Sequence, residues 1–227
     1  MVSGLLILFC LASTQVLGQN SYRSGLLPTI NLNQKLKQDW RINYQWQSRW
    51  IMAEGLFSEP AEKRWAYSLS DLSIVVSKKV QGNKGLALGF LTRFVGDEQR
   101  FRLLQQYTSV EKFPTFRLGH RIRADQTWGA KDAATFRLRY RLSLDVPLNG
   151  ATTNPNELYF KLNHEYLMAL ESNDFSLEIR MVPMIGLFLT DNNKLETGLD
   201  YRYDKVGSSK SRHSFWWAVN WYYSFGN

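Results

Sequence analysis

From Trp40 the chain alternates with a period of two. Trp40, Ile42, Tyr44, Trp46, Ser48 and Trp50 share one phase, and Arg41, Asn43, Gln45, Gln47 and Arg49 share the other. That spacing predicts a strand with one apolar and one polar face. The signature returns at Phe136, where Phe136, Leu138, Tyr140, Leu142, Leu144 and Val146 alternate with Arg137, Arg139, Arg141, Ser143 and Asp145. Weaker copies run over Ile30 to Leu36, Leu86 to Phe94, Phe101 to Val110, Phe116 to Gln126, Leu158 to Leu170 and Leu195 to Asp204. Turn-forming residues separate them at Gly82-Asn83, Lys112 to Pro114, Gly129 to Asp132, Asn149-Gly150, Ser172 to Asp174 and Asp191 to Lys194. Trp65 to Val80 reads as a strand that changes phase near Asp71 at a bulge. Pro183 interrupts the segment Leu177 to Leu189.

The connections are too short for helical crossovers, so the strands form an antiparallel meander. A soluble sandwich or lipocalin-like barrel would alternate as well, but ordinary strands cluster near ~5 to 6 residues, whereas several segments here have the length of a tilted transmembrane strand. Trp40 and Trp50 act as a ruler: ten steps of ~3.3 Å at a tilt of ~40° rise about 25 Å, the height of an outer-membrane apolar band with aromatic girdles. The final segment is the most aromatic. Phe215, Trp217, Val219, Trp221, Tyr223 and Phe225 alternate with Ser214, Trp216, Ala218, Asn220, Tyr222 and Ser224. It resembles the C-terminal assembly signal of outer-membrane proteins, although the chain continues past the aromatic residue to Gly226 and Asn227. The fold expected is therefore all-β: an antiparallel up-and-down transmembrane β-barrel of about 10 to 12 strands. Trp40, Trp50, Trp217, Trp221 and Phe225 are its expected membrane-interface aromatics. Eleven segments can be counted along the chain, and the even number usual in single-chain bacterial barrels implies that one is miscounted.

Composition supports this picture. Aromatics make up 14% of the 227 residues while mean hydropathy is −0.33, so apolar and polar residues must be interleaved. At the start, Leu5 to Ala12 is an uninterrupted apolar stretch, followed by Val16-Leu17-Gly18. That reads as a signal peptide over residues 1–18, cleaved before Gln19, with a single barrel domain over 19–227. The stretch is shorter than the ~20 residues a membrane-spanning helix needs. Its n-region lacks Lys and Arg, and Cys10 lacks the small residue that lipoprotein processing wants before it. Cys10 is the only cysteine, so the mature chain would have no disulfide and no Cys-based metal site.

The polar phases are rich in arginine, as in Arg117-Leu118-Gly119-His120-Arg121-Ile122-Arg123 and Arg137-Leu138-Arg139-Tyr140-Arg141, followed by Asn163-His164-Glu165 and Glu178-Ile179-Arg180. Together with the leader and the barrel pattern, the chain is similar over roughly Leu27 to Phe225 to the outer-membrane family catalogued as domain of unknown function 2490. The resemblance implies a fold and a location and supplies no catalytic residue.

Catalysis is not expected. A hydrolase would need a hydroxyl nucleophile beside a His on one face, but His120 and His164 fall on apolar phases, and His213 and Ser214, being adjacent, point apart. No metal-ligand spacing or phosphate-binding loop is present, so no cofactor is expected. The formal charge of +8 is spread through alternating strands of an exported chain. Outer-membrane lipid and lipopolysaccharide phosphates, or anions within the barrel, are therefore more fitting partners than nucleic acid. The barrel-assembly machinery is the partner expected during biogenesis. Two classes of function stay open: a narrow passive channel of porin type or small-solute binder with Arg-lined walls, and a structural or surface barrel plugged by its own charges. A membrane-embedded hydrolase carries little weight. In either case Arg117, Arg121, Arg123, Arg137, Arg139 and Arg141 face the lumen; in the plugged barrel Asp125, Asp145, Glu165, Glu196 and Asp200 reach across it and pair with them, whereas in the channel that compensation is incomplete and leaves a cationic wall that attracts anions.

Overall fold

The computed structural model describes residues 20–129 and 134–226. The expected leader and its cleavage step, with part of the Gly129 to Asp132 turn, lie outside the described residues. The strands are β1 (Ser21–Lys35), β2 (Trp40–Leu56), β3 (Glu62–Gln81), β4 (Lys84–Val95), β5 (Glu98–Lys112), β6 (Arg117–Gly129), β7 (Thr135–Pro147), β8 (Glu157–Glu171), β9 (Asp174–Thr190), β10 (Asn193–Asp204) and β11 (Arg212–Phe225). Each pairs antiparallel with the next, and β1 pairs with β11 to close the barrel.

The closing pair is parallel, from Ser21 opposite Arg212 to Gln34 opposite Phe225. This corrects two expectations. The sheet is mixed rather than wholly antiparallel, and eleven is the number of described strands, so the count needed no adjustment to an even value. Closure leaves no strand edge open, so the backbone groups of the first and last strands are paired on both sides. Parity is a habit of the fold; closure is the physical requirement.

Two irregularities have local causes. In β3 the outward residues Trp65 and Tyr67 are odd-numbered whereas Leu72, Ile74 and Val76 are even-numbered. The phase shifts because Arg49 pairs with Leu69 and Trp50 with Tyr67, leaving Ser68 as the extra residue of a bulge. The expected bulge is thus real, three positions before Asp71. Pro183 does not interrupt its strand: β9 runs through it, and it sits opposite Leu162 of β8. On the other side the β10 ladder steps from Gly198–Met184 to Tyr201–Met181, passing over the residue that has no N–H. Gly198 permits the approach, since a Cβ there would lie 2.1 Å from the Pro183 carbonyl oxygen.

The loops are short. At the rim where β1 begins they comprise 57–61, 96–97, 172–173 and 205–211; at the other rim they comprise 36–39, 82–83, 113–116, 148–156 and 191–192. Ser172 and Asn173 both have positive φ, 46° and 68°, the type I′ geometry that suits the twist of a two-residue hairpin.

The apolar phases face outward. Leu72, Ile74, Leu86, Leu88, Phe90, Ile122, Leu138, Ile185 and Leu199 are all exposed, while the polar partners in alternation are buried or half-buried. Its most hidden side chains accordingly include the carboxylates Glu165 and Asp125 beside Trp216, Leu27 and Leu104.

Candidate functional site: the charged lumen

The inward phase of β3 to β10 carries a belt of paired charges. Arg93 holds Asp71 through both carboxylate oxygens at 2.7 Å. Asp125 is surrounded by three arginines, with Arg139 Nε at 2.8 Å, Arg102 Nε at 3.4 Å and Arg137 Nη1 at 3.5 Å. Glu165 gathers four, with Arg121 at 2.6 Å, Arg141 at 2.9 Å, Arg180 at 3.3 Å and Arg139 at 3.9 Å. Arg180 also bonds Glu178. Beside it, Arg202 donates to both oxygens of Asp200 at 2.7 and 2.9 Å. Arg139 bridges the two most crowded carboxylates, so the groups around Asp125 and Glu165 form one network.

Strand register explains who meets whom. Asp125 stands directly opposite Arg137, and Glu165 lies between Arg141 of β7 and Arg180 of β9. Every side-chain ion pair of the belt joins residues on one strand, on adjacent strands or on next-but-one strands. Pairing runs along the wall, not across the lumen as expected, because directly opposed inward side chains are close enough for long arginines to reach.

Of the six expected arginines, Arg121, Arg137, Arg139 and Arg141 join this network. Arg123 instead donates to the Gln106 side-chain oxygen at 3.1 and 2.6 Å. Arg117 lies exposed at the second rim. Among the expected acids, Asp125 and Glu165 take arginines of the set, but Asp200 takes Arg202. Glu196 accepts from Tyr159 at 2.7 Å, Lys161 at 3.1 Å and Tyr222 at 3.1 Å. Asp145 lies opposite Arg117 and Lys161 in the ladder. Arg49, Arg93, Arg102, Arg180, Arg202, Asp71 and Glu178 lie outside the two strands densest in arginine and were not among the expected residues. The signal that finds them is the same alternation, applied to the inward phase of every strand.

The belt does not encircle the barrel. Within β1, β2, β9 and β11 it gives way to an apolar cluster of Leu27, Ile51, Val182, Met184, Trp216 and Ala218. Arg23 lies over the Trp216 ring, its guanidinium carbon 5.3 Å from the centroid.

Two cavities occupy the lumen. The larger, about 750 Å³, reaches the first rim at Glu171, Lys205 and Arg212, and fourteen of its lining residues are Arg or Lys against seven Asp or Glu. The smaller, about 290 Å³, reaches the second rim at Thr153, Asp191 and Asn192. They share Asp145, Lys161, Glu196 and Tyr222, so the hydrogen-bonded group around Glu196 borders both. Tyr159 stands in that group because its ring lies flat on Gly186, where a Cβ would come within 2.2 Å of the ring. Gly186→Ala is expected to push Tyr159 off Glu196 and to cost about 1 to 3 kcal/mol as overpacking; urea unfolding of the refolded barrel measures it, and an unchanged midpoint would show that the ring moves freely.

The expected interface aromatics all face outward. Trp40 begins β2 with the Lys78 ammonium 5.1 Å from its ring centroid. Trp50 packs between Trp65 and Tyr67 at 5.6 and 5.5 Å. The indole N–H of Trp217 donates to Thr197 Oγ1 at 2.9 Å, and that of Trp221 to Asn193 Oδ1 at 2.7 Å. Phe225 stacks on Tyr223. The histidines also lie on the outer face: His120 and His213 bond Tyr140 and Tyr201, each at 2.8 Å.

Residues 25–214 match a protein family described as Protein of unknown function (DUF2490). No curated protein and no solved structure matches the chain.

Proposed function

The chain belongs to the family of unknown function DUF2490, and from its geometry we propose an outer-membrane β-barrel that gives small anions a narrow passive route. The observation that carries this reading is the pair of cavities that reach opposite rims and meet at shared lining residues around Glu196, in a lumen where cations outnumber acids. A cationic wall of low polarizability attracts anions and excludes cations, as basic rings do in anion pores. The outward apolar phase with its tryptophans supports residence in lipid. Export by the segment 1–18, lipopolysaccharide phosphates as neighbours and assembly by the barrel-insertion machinery complete the proposal. Outer-membrane fractionation and a mature chain beginning at Gln19 are expected; recovery as a soluble periplasmic protein would overturn it.

The belt itself favours a second reading, a closed structural barrel. Arg102, Arg139, Arg202, Asp125 and Glu165 are all buried, and such paired side chains fill small barrels. Planar-bilayer recording separates the two. A passage should carry small currents with a reversal potential displaced toward anions in a salt gradient. Replacing Arg137, Arg139 and Arg141 together by Gln should then weaken the anion preference. A barrel that folds and carries no current is the structural one, and a conducting triple variant with unchanged preference removes the anion wall.

A further inference from the structure

Arg49 differs from the other buried arginines of the lumen. It is 8% exposed and lines the larger cavity, yet among the described residues no carboxylate lies within ion-pair distance of it, and its side chain makes a single long hydrogen bond, 3.4 Å from Nη2 to Gln47 Oε1. A guanidinium carries five donors. The charged groups bearing on it are Arg202, Arg93, Asp71 and Arg180, and the carboxylates around these are already taken. Arg93 occupies both oxygens of Asp71, Arg202 occupies both of Asp200, and Arg180 is held by Glu178 and Glu165. Arg49 therefore sits at the edge of the belt, beside the apolar sector, as a buried cation among cations. Burying an ion without a counter-charge is costly, and a fixed positive field of this kind is a place where an anion replaces the missing carboxylate.

We propose that the lumen holds a site for one small oxyanion of the inorganic phosphate class, centred on the Arg49 guanidinium in the cavity that Arg93, Arg180 and Arg202 also line. The planar fork of Arg49 suits two oxygens of a tetrahedral anion, and the apolar lining residues Leu27, Val182 and Met184 strengthen the attraction by lowering the local polarity. This rests on the reading of the lumen as anion-favouring and names the anion class.

The test uses the full-length barrel, refolded in detergent and titrated with inorganic phosphate against sodium chloride of equal ionic strength. Phosphate is expected to raise the melting temperature saturably, by roughly 5 °C at about 100 times the dissociation constant, with chloride far less effective. Arg49→Gln should abolish that rise while melting no lower than the parent in phosphate-free buffer, because it removes an uncompensated cation. Arg49→Lys should retain a reduced rise, since it keeps the charge and loses the fork. A phosphate effect that persists undiminished in Arg49→Gln, or none in the parent protein, overturns the site. Where Arg49→Gln does not fold, Arg49→Lys with a full phosphate response overturns it equally. Isothermal titration reads binding without current, so the site and the channel fail separately: saturable phosphate binding in a barrel that never conducts leaves the site and removes the passage. Anion-selective current with no saturable phosphate binding does the reverse.

Discussion

Glu165→Gln is expected to leave little folded barrel. The carboxylate is 1% exposed and compensates Arg121, Arg139, Arg141 and Arg180 at once. Glutamine keeps the volume and loses the charge, so Arg139 is left with Asp125 and Arg180 with Glu178, while the half-buried Arg121 and Arg141 lose the carboxylate that holds them. Removing one partner from a buried ionic group costs about 3 to 5 kcal/mol, a large part of a typical stability of about 5 to 15 kcal/mol. The heat-modifiable folded species should therefore fall sharply on gels, and the urea midpoint of any survivor should drop. Adding Arg141→Gln to the same chain should recover part of the loss, because one uncompensated cation leaves with it. A double variant as unstable as the single one would show that Glu165 acts through its hydrogen bonds or shape, not through charge balance.

Removal of residues 223–227 should be as damaging for a different reason. Tyr223, Ser224 and Phe225 pair with Leu32, Asn33 and Gln34 of β1 on one side, and Tyr223 pairs with Asn193 of β10 on the other. The Ser224 N–H donates to the Asn192 carbonyl at 2.7 Å. The truncation strips these partners from the seam that closes the barrel and leaves their backbone groups unpaired, which in the proposed lipid surroundings costs several kcal/mol each. The chain should be degraded in cells and fail to refold in detergent. Phe225→Ala keeps the ladder and loses one stacked ring, so its effect should be far smaller. Normal amounts of folded truncated protein would show that this end does not seal the barrel.

The amino-acid sequence determines the strands and their two faces. Alternation at Trp40 to Trp50 and Phe136 to Val146 is a local property: successive side chains point to opposite sides whatever the strand is paired with. Hence the outward aromatics, the inward arginines and the divergence of His213 from Ser214 were all legible. So was the bulge in β3, because an extra residue reverses the phase in the sequence itself; its exact place at Ser68 was set by the partner strand. Pro183 misled, since its cost depends on which neighbour needs its N–H, a question of pairing.

What only the tertiary structure decided is register and closure. The sequence names Arg123 and Arg139 as equals, but register carries Arg139 to Asp125 and Glu165 and leaves Arg123 with Gln106. Glu196 was expected to meet an arginine and meets Lys161 and two tyrosines, because the strands beside it supply those groups at its height. The parallel seam between β1 and β11, and the solitary Arg49 beside an apolar wall, arise only when the first and last strands come together. No local pattern records that meeting, since it depends on strand number and stagger around the whole barrel.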